Sequence, residues 1–307
     1  MAGTKIGRAD IASTALTDWP TLAAIAAFWV SLASVILWWR DLPTFMTVVV
    51  LALLGCFYMS LQHEVIHGHP TRWRRVNWLL VAAPLGLLLP FERYRAHHAA
   101  HHRSELTDPL DDPESFYVSS AAWQRAGTVR RAVLIANRSM AFRLFVWPLI
   151  AAPRTAIAEL RLARRDRDIA IAWAMHVVGA LGVVVVVRQL GMPLWIYALG
   201  FVYGGSSLTM LRSFVEHFAA AEGPRSAVVR SNWFFGLLFL NNNLHYAHHQ
   251  LPGAAWFRLP ELSRTLDAEA VVADSAGAYR GYLQIARRHF LRPFHQPVNP
   301  LSTPVRL

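Results

Sequence analysis

Apolar residues along this chain gather in long unbroken runs instead of alternating with polar ones. Four runs stand out, at residues 21–39, 44–61, 169–187 and 194–211, each 18 or 19 residues long. A helix rises about 1.5 Å per residue, so each run approaches the ~20 residues that cross a hydrocarbon core of about 30 Å. The runs come in pairs. Arg40-Asp41-Leu42-Pro43 joins the first pair and residues 188–193 join the second. Loops this short make antiparallel neighbours, so the pattern predicts two helical hairpins.

Shorter apolar stretches at residues 78–90, 141–152 and 233–240 fall below a spanning length. The first reads as an interfacial or re-entrant helix and the second as another interfacial segment. If residues 78–90 crossed, the histidines near residue 98 would face the opposite side from those near residue 63. Because they do not cross, every histidine cluster stays on one side.

Charge then sets the orientation. Among 30 Lys and Arg, only Arg40 and Arg188 lie in the two short loops. The excess of basic residues in the N-terminal, middle and C-terminal segments predicts that these are cytoplasmic. Residues 161–168 form a charge run that anchors the third span. The first 18 residues lack the apolar core and cleavage site of a signal peptide. Hydrophobic residues make up 54% of the 307 and charged ones 16%, where a soluble domain has about a quarter charged. Twelve Trp suit the membrane–water interface. The net charge of +11 does not indicate nucleic acid, because the arginines flank membrane runs and no nucleic-acid motif is present. It suits anionic lipid headgroups and an acidic redox partner. The single cysteine, Cys56, rules out a disulfide framework, an iron–sulfur cluster and a cysteine zinc site.

The candidate chemistry is imidazole. Eight histidines form three clusters: His63-Glu64-Val65-Ile66-His67, His98-Ala99-Ala100-His101-His102 and His245-Tyr246-Ala247-His248-His249. Residues three and four apart share a helix face, so each cluster can aim several imidazoles at one point. A single zinc takes three or four protein ligands; eight suit two metal ions. The first cluster taken alone also fits H-E-x-x-H, the zinc-protease pattern with the glutamate as general base. That reading leaves the two H-x-x-H-H clusters without a role. A metal carrier is a further reading, and it would not need four spans.

In these clusters the chain resembles the membrane fatty acid desaturase superfamily, which also contains membrane hydroxylases and relatives that form terminal alkenes. The likeness rests on Gln62-His63-Glu64-Val65-Ile66-His67-Gly68-His69-Pro70, on the second box, and on Asn243-Leu244 leading into the third. The segment Leu106-Thr107-Asp108-Pro109-Leu110-Asp111-Asp112-Pro113-Glu114 looks like the loop after the second box in bacterial members, and the whole likeness covers roughly residues 20 to 260. The resemblance implies an all-α integral membrane protein with four transmembrane helices in two hairpins and a helical cytoplasmic cap holding a dimetal site. It implies a single domain over residues 1–307, with a cytoplasmic tail from about residue 260. Two ferrous ions would be held by His63, His67, His98, His101, His102, His245, His248 and His249, with His217 matching a ninth ligand in some members. Glu64 stands where many relatives carry Asp, and a shifted register using His97 stays open.

The resemblance implies dioxygen-dependent desaturation of a lipid acyl chain. Hydroxylation and decarboxylation to an alkene remain as alternatives. No haem-binding segment or cysteine cluster is present, so the electron donor is expected to be a separate ferredoxin or rubredoxin with its reductase. The location implied is the inner membrane.

Several residues have both a supporting and a bland reading. Glu64, Asn241, Asn242 and Asn243 can orient imidazoles; the asparagines can also cap the next helix. Asp108, Asp111 and Asp112 either form turns beside Pro109 and Pro113 or hold second-box histidines. Arg93 and Arg95 bind a substrate headgroup or anchor at the membrane surface. His69 belongs to the first box or to its loop. His176 reads as a packing residue inside the third span, and His289 and His295 as solvated residues of an arginine-rich tail.

Overall fold

The computed structural model describes residues 17–301. The polar N-terminal stretch before them and the last six residues lie outside the described residues. The chain is an all-α integral membrane protein, with helices long and apolar enough to cross a membrane at Trp19–Asp41, Thr44–Ile66, Arg167–Gln189 and Leu194–Ser213. All four match the sequence-predicted runs and extend a few residues beyond them. The second extends furthest, so His63 lies in its last helical turn rather than after it.

The fold divides into two compact units. One holds residues 17–96 and 145–210, and with them nearly all the spanning helix. Its first span starts where Asp18 accepts a hydrogen bond from the Thr21 backbone N–H (3.1 Å), a side-chain cap with Pro20 in the first turn. The second and fourth spans touch closely because glycines line the contact. A Cβ on Gly55 would collide with the Phe201 carbonyl oxygen, and one on Gly205 would lie 2.8 Å from the Gly55 Cα. Small residues let helix backbones approach in lipid, where no hydrophobic drive joins helices. The fourth span relaxes into a π-helix over Ala198–Gly204 at this contact. The third span is different: only 6% of its apolar window is buried by protein, against 39% for the second. Its exposed valines and leucines need lipid around them. Arg40 donates to the Gly191 carbonyl (3.3 Å), so both hairpin loops lie side by side.

The short stretches do not form helices long and apolar enough to cross a membrane. Residues 78–90 provide only the end of the helix Arg74–Val81 and then an irregular segment. Tyr58 inside the second span donates to the Val81 or Ala83 carbonyl, both 2.6 Å from its hydroxyl. Trp147–Ala163 is a helix with Pro153 inside it.

The other unit holds residues 97–144 and 211–301. It is built from short helices and one two-residue parallel pair, Val228–Val229 beside Ala278–Tyr279. Short elements leave many backbone ends to be satisfied, and side chains do much of it. Asn243, for example, donates to the Val229 carbonyl at 2.7 Å.

Candidate metal centre

The second box sits on the helix Phe91–His101, which starts after Pro90. His98 and His101 are one turn apart on its buried side. His102 continues the turn, its backbone N–H reaching the His98 carbonyl at 3.1 Å. The following loop folds back on the box. His101 Nδ1 donates to Asp112 Oδ1 (2.7 Å) and His98 Nδ1 to Glu114 Oε1 (3.0 Å). Asp112 is itself fixed by the backbone N–H groups of Thr107 (3.0 Å) and Glu114 (2.9 Å).

The third box occupies the helix His245–Gln250. His245 Nδ1 donates to Asn242 Oδ1 (3.1 Å) and lies 3.6 Å from Glu216. His217 follows the fourth span and pairs as an isolated bridge with Ser226. Its Nδ1 donates to the Arg225 carbonyl at 3.2 Å, and Arg225 is tied by an ion pair to Glu105.

These outer hydrogen bonds fix the tautomers. A carboxylate or carbonyl can only accept, so Nδ1 carries the proton and Nε2 keeps its lone pair. The Nε2 atoms then converge. His245 Nε2 lies 2.9 Å from His217 Nε2 and 3.1 Å from His249 Nε2, and His101 Nε2 lies 3.3 Å from His249 Nε2. His101, His217, His245 and His249 thus form one group of four imidazoles. A metal about 2.1 Å from each nitrogen, with ligands at right angles, spaces them by about 3.0 Å. The donor set and spacing therefore fit a metal ion.

Electrostatics agree. Burial, reinforced by neighbouring cationic imidazoles, pushes His217 down to about 3 and holds His245 and His249 well below their usual value. His101 goes the other way. Burial opposes its charge, but the Asp112 hydrogen bond and the nearby Glu114 and Glu216 raise it. One proton on His101 satisfies a single contact. The His217–His245 contact joins two neutral rings whose Nδ1 atoms hold the protons, so it remains lone pair to lone pair, and a cation between them relieves it.

A second convergence lies in the same unit. His102 Nε2 is 3.0 Å from both His98 Nε2 and His248 Nε2. Burial, and then the charges of His98 and His101, push His102 down to about 3. In the other unit His63 and His67 pack ring to ring, with centroids 4.8 Å apart.

The remaining candidates are placed as follows. His97 is not among the grouped imidazoles. Asp108 accepts from the Leu110 N–H (2.9 Å) and Asp111 from the Glu105 N–H (2.6 Å), so both shape the loop rather than touch a histidine by those bonds. Asn241 donates to the Trp256 carbonyl (3.0 Å) and Asn243 to Val229, leaving Asn242 on His245. Glu64 is buried 3.9 Å from His69. Arg93 forms a two-point ion pair with buried Glu159 (2.6 and 3.0 Å), which also accepts from the Trp173 indole (3.2 Å). Arg95 pairs with Glu92 at 2.5 Å. Sequence reasoning did not single out Glu114 or Glu216 as supports. Both adjoin segments rich in candidates, Asp112-Pro113-Glu114 and Val215-Glu216-His217, and that adjacency was the available signal. His289 and His295 are half-buried rather than fully solvated, and both meet Phe294 edge to face.

No curated protein matches the chain. A family model described as fatty acid desaturase matches residues 37–282, about four-fifths of the sequence, and includes all three boxes. The chain therefore belongs to the fatty acid desaturase family.

Proposed function

We propose that the chain is a membrane di-iron enzyme that uses dioxygen and external electrons to place a double bond in a lipid acyl chain. The observation that carries this reading is the inward convergence of Nε2 lone pairs whose Nδ1 atoms are occupied by Asp112, Arg225 and Asn242. In this proposal His101, His217, His245 and His249 hold one iron. His98, His102 and His248 hold the other, and His63 and His67 are the further ligands that the family resemblance implies. Two bound irons would supply the activation of dioxygen that an unactivated C–H bond requires. The protein's part is different. Asp112, Glu114 and Asn242 accept the Nδ1 protons and fix the rings in direction, which leaves Nε2 as the atom offered to a metal. The apolar helix surfaces take up the acyl chain and exclude water. The histidine boxes, the cap-like unit and both termini would face the cytoplasm of an inner membrane, where a separate ferredoxin- or rubredoxin-type donor is available.

The test is mass spectrometry of lipids and volatiles from a bacterial host expressing the wild type beside His101→Ala. A new lipid two hydrogens lighter than its parent supports desaturation. One carrying an extra oxygen replaces it with hydroxylation, and a terminal alkene with decarboxylation. Purified protein with a single tightly held zinc and no iron sinks the di-iron reading and restores the H-E-x-x-H alternative.

A further inference from the structure

The C-terminal segment carries a surface that the metal centre does not use. The helix Tyr282–His289 buries Tyr282 and Ile285 and turns Leu283 outward, 65% exposed. Leu291, just past its end, is 78% exposed. Arg287, Arg288 and Arg292 lie among them, all exposed. No acidic residue follows Asp274, and none lies between Glu114 and Leu144. These two acid-free stretches are stitched together: the Ala141 N–H donates to the Phe290 carbonyl (2.9 Å) and the Phe294 N–H to the Arg138 carbonyl (2.8 Å). The face is apolar at its centre and basic around it.

Behind it runs a line of rings. His289 meets Phe294 with centroids 5.2 Å apart, Phe294 meets His295 at 5.1 Å, and His295 stacks on Tyr117 at 4.4 Å. Phe294 and His295 each lie 6.1 Å from Phe218, the residue after His217. The Tyr117 hydroxyl accepts from the Ala219 N–H at 3.1 Å. The line thus leads from the basic face to the segment that bears His217.

Two guanidinium groups flank this line. Arg138 and Arg143 are each 1% exposed, and among the described residues their hydrogen bonds go to backbone carbonyls and to His295, not to a carboxylate. Arg138 lies 3.3 Å from His295 and 5.0 Å over the Tyr117 ring; Arg143 lies 3.7 Å over Phe116. A buried charge is ordinarily paired. Here carbonyls and ring faces are the compensation, and arginine stays protonated regardless. The pair therefore holds a positive potential along the rings.

We propose that this face docks an acidic one-electron carrier protein, and that the rings of His289, Phe294, His295 and Tyr117 lie on the path of its electron toward the imidazole group. The inference rests on the oxidase reading above and names its partner surface. Each carrier is oxidised by one electron. Two carriers supply two electrons, the acyl chain gives up two hydrogens as it becomes an alkene, and with two protons from water one dioxygen is reduced to two waters. An anionic bilayer surface would also suit a basic apolar face, but a lipid contact uses neither the ring line nor the buried arginines.

The experiment uses the full chain in nanodiscs of neutral phosphatidylcholine, with an acidic [2Fe–2S] ferredoxin as the probe. Binding is read by biolayer interferometry and ferredoxin oxidation by stopped flow. Arg287→Glu combined with Arg288→Glu is expected to weaken binding and slow oxidation about tenfold or more at low salt, while turnover driven by reduced methyl viologen stays within about twofold. The difference should shrink at high salt. Phe294→Leu is expected to leave binding intact and slow only the oxidation. Unchanged ferredoxin binding in the double variant, or viologen turnover falling in step with ferredoxin turnover, overturns the proposal. So does a probe at Leu291→Cys, in a Cys56→Ala background, that nitroxide-labelled lipids quench; that result assigns the face to the bilayer. Wild type that binds ferredoxin through these arginines, yet reduces dioxygen with neither donor, keeps the docking face and overturns the oxidase reading.

Discussion

Two buried clusters of ionisable side chains are both dense in ligand-type residues and are opposites in wiring. In the first, His69 Nδ1 lies 3.3 Å from Asp18 Oδ2 and His69 Nε2 lies 3.9 Å from Glu64. Asp18 also accepts from the Thr21 N–H (3.1 Å) and hydroxyl (2.5 Å) as the cap of the first span. Donors there face acceptors, and the imidazole sits between two carboxylates. Burial opposes the Asp18 charge, but the His69 and Thr21 hydrogen bonds outweigh it and hold its pKa down. In the second cluster, His101, His217 and His245 spend their Nδ1 donors outward, and the Nε2 atoms of all four rings, His249 included, turn on one another. The first cluster pairs its imidazole with acceptors on both nitrogens. The second sets the acceptor nitrogens of His217 and His245 against each other, which a cation relieves. Both are dense in ligand-type residues, so it is the direction of donors and acceptors that separates them.

The largest expected effect breaks the second cluster outright. His245→Ala removes the ring shared by the two shortest contacts, at 2.9 and 3.1 Å. It should lower activity by more than about 100-fold, beyond the usual effect of an outer support, and lower the iron measured by plasma mass spectrometry from about two per chain. Retained iron and activity would falsify the assignment. Asp112→Asn is milder. It leaves the imidazole in place but no longer compels the Nδ1 proton, so Nε2 can lose its lone pair. A loss of about 10–100-fold in metal affinity is expected, read by competition with a chelator.

Much of this difference was legible in the chain, and part was not. The four runs predicted the spans because lipid demands continuous apolar helix, a constraint that acts locally in sequence. The box histidines were legible for the same reason, since i, i+3 and i+4 spacing fixes a helix face. The supports were harder to read. Asp108, Asp111 and Asp112 are equivalent as letters, yet it is Asp112 that accepts from His101, because loop closure over Thr107 and Glu114 aims its carboxylate. Arg93 looked free to meet a headgroup, and Glu159, 66 positions away, holds it instead. His295 reads as tail polarity until the chain returns it to Tyr117. Long-range pairing decided each of these.

Acid should separate the clusters on one axis. For the metal-free protein, burial holds the His217 pKa at about 3 in the folded chain, against the ordinary imidazole value of 6.5. The unfolded chain therefore binds more protons between those values, and stability, full above about pH 6.5, falls as the pH drops. Each such histidine contributes up to about 1.4 kcal/mol per pH unit. The Asp18 carboxyl is lowered from 3.8, so its contribution is lost only as the pH falls below that value. Thermal unfolding of chelator-treated protein in detergent should decline from pH 6.5 to 5, and iron-loaded protein should decline less. A flat profile over that interval would mean the imidazoles are not held neutral.

The smallest effect tests the first cluster, and its value lies in what it leaves alone. Asp18→Ala removes the cap on the first span and should cost about 1 kcal/mol. Asp18→Asn keeps a good capping oxygen but loses the charge beside His69, so its cost should be smaller. If the cluster is a self-satisfied strut, both variants keep the wild-type iron content and their activity follows the folded fraction. If Asp18, Glu64 and His69 instead hold an ion, Asp18→Asn should release about one metal per chain while barely moving the melting temperature. Iron content and melting temperature measured on the same preparation separate these outcomes, because a strut moves the second and a ligand moves the first.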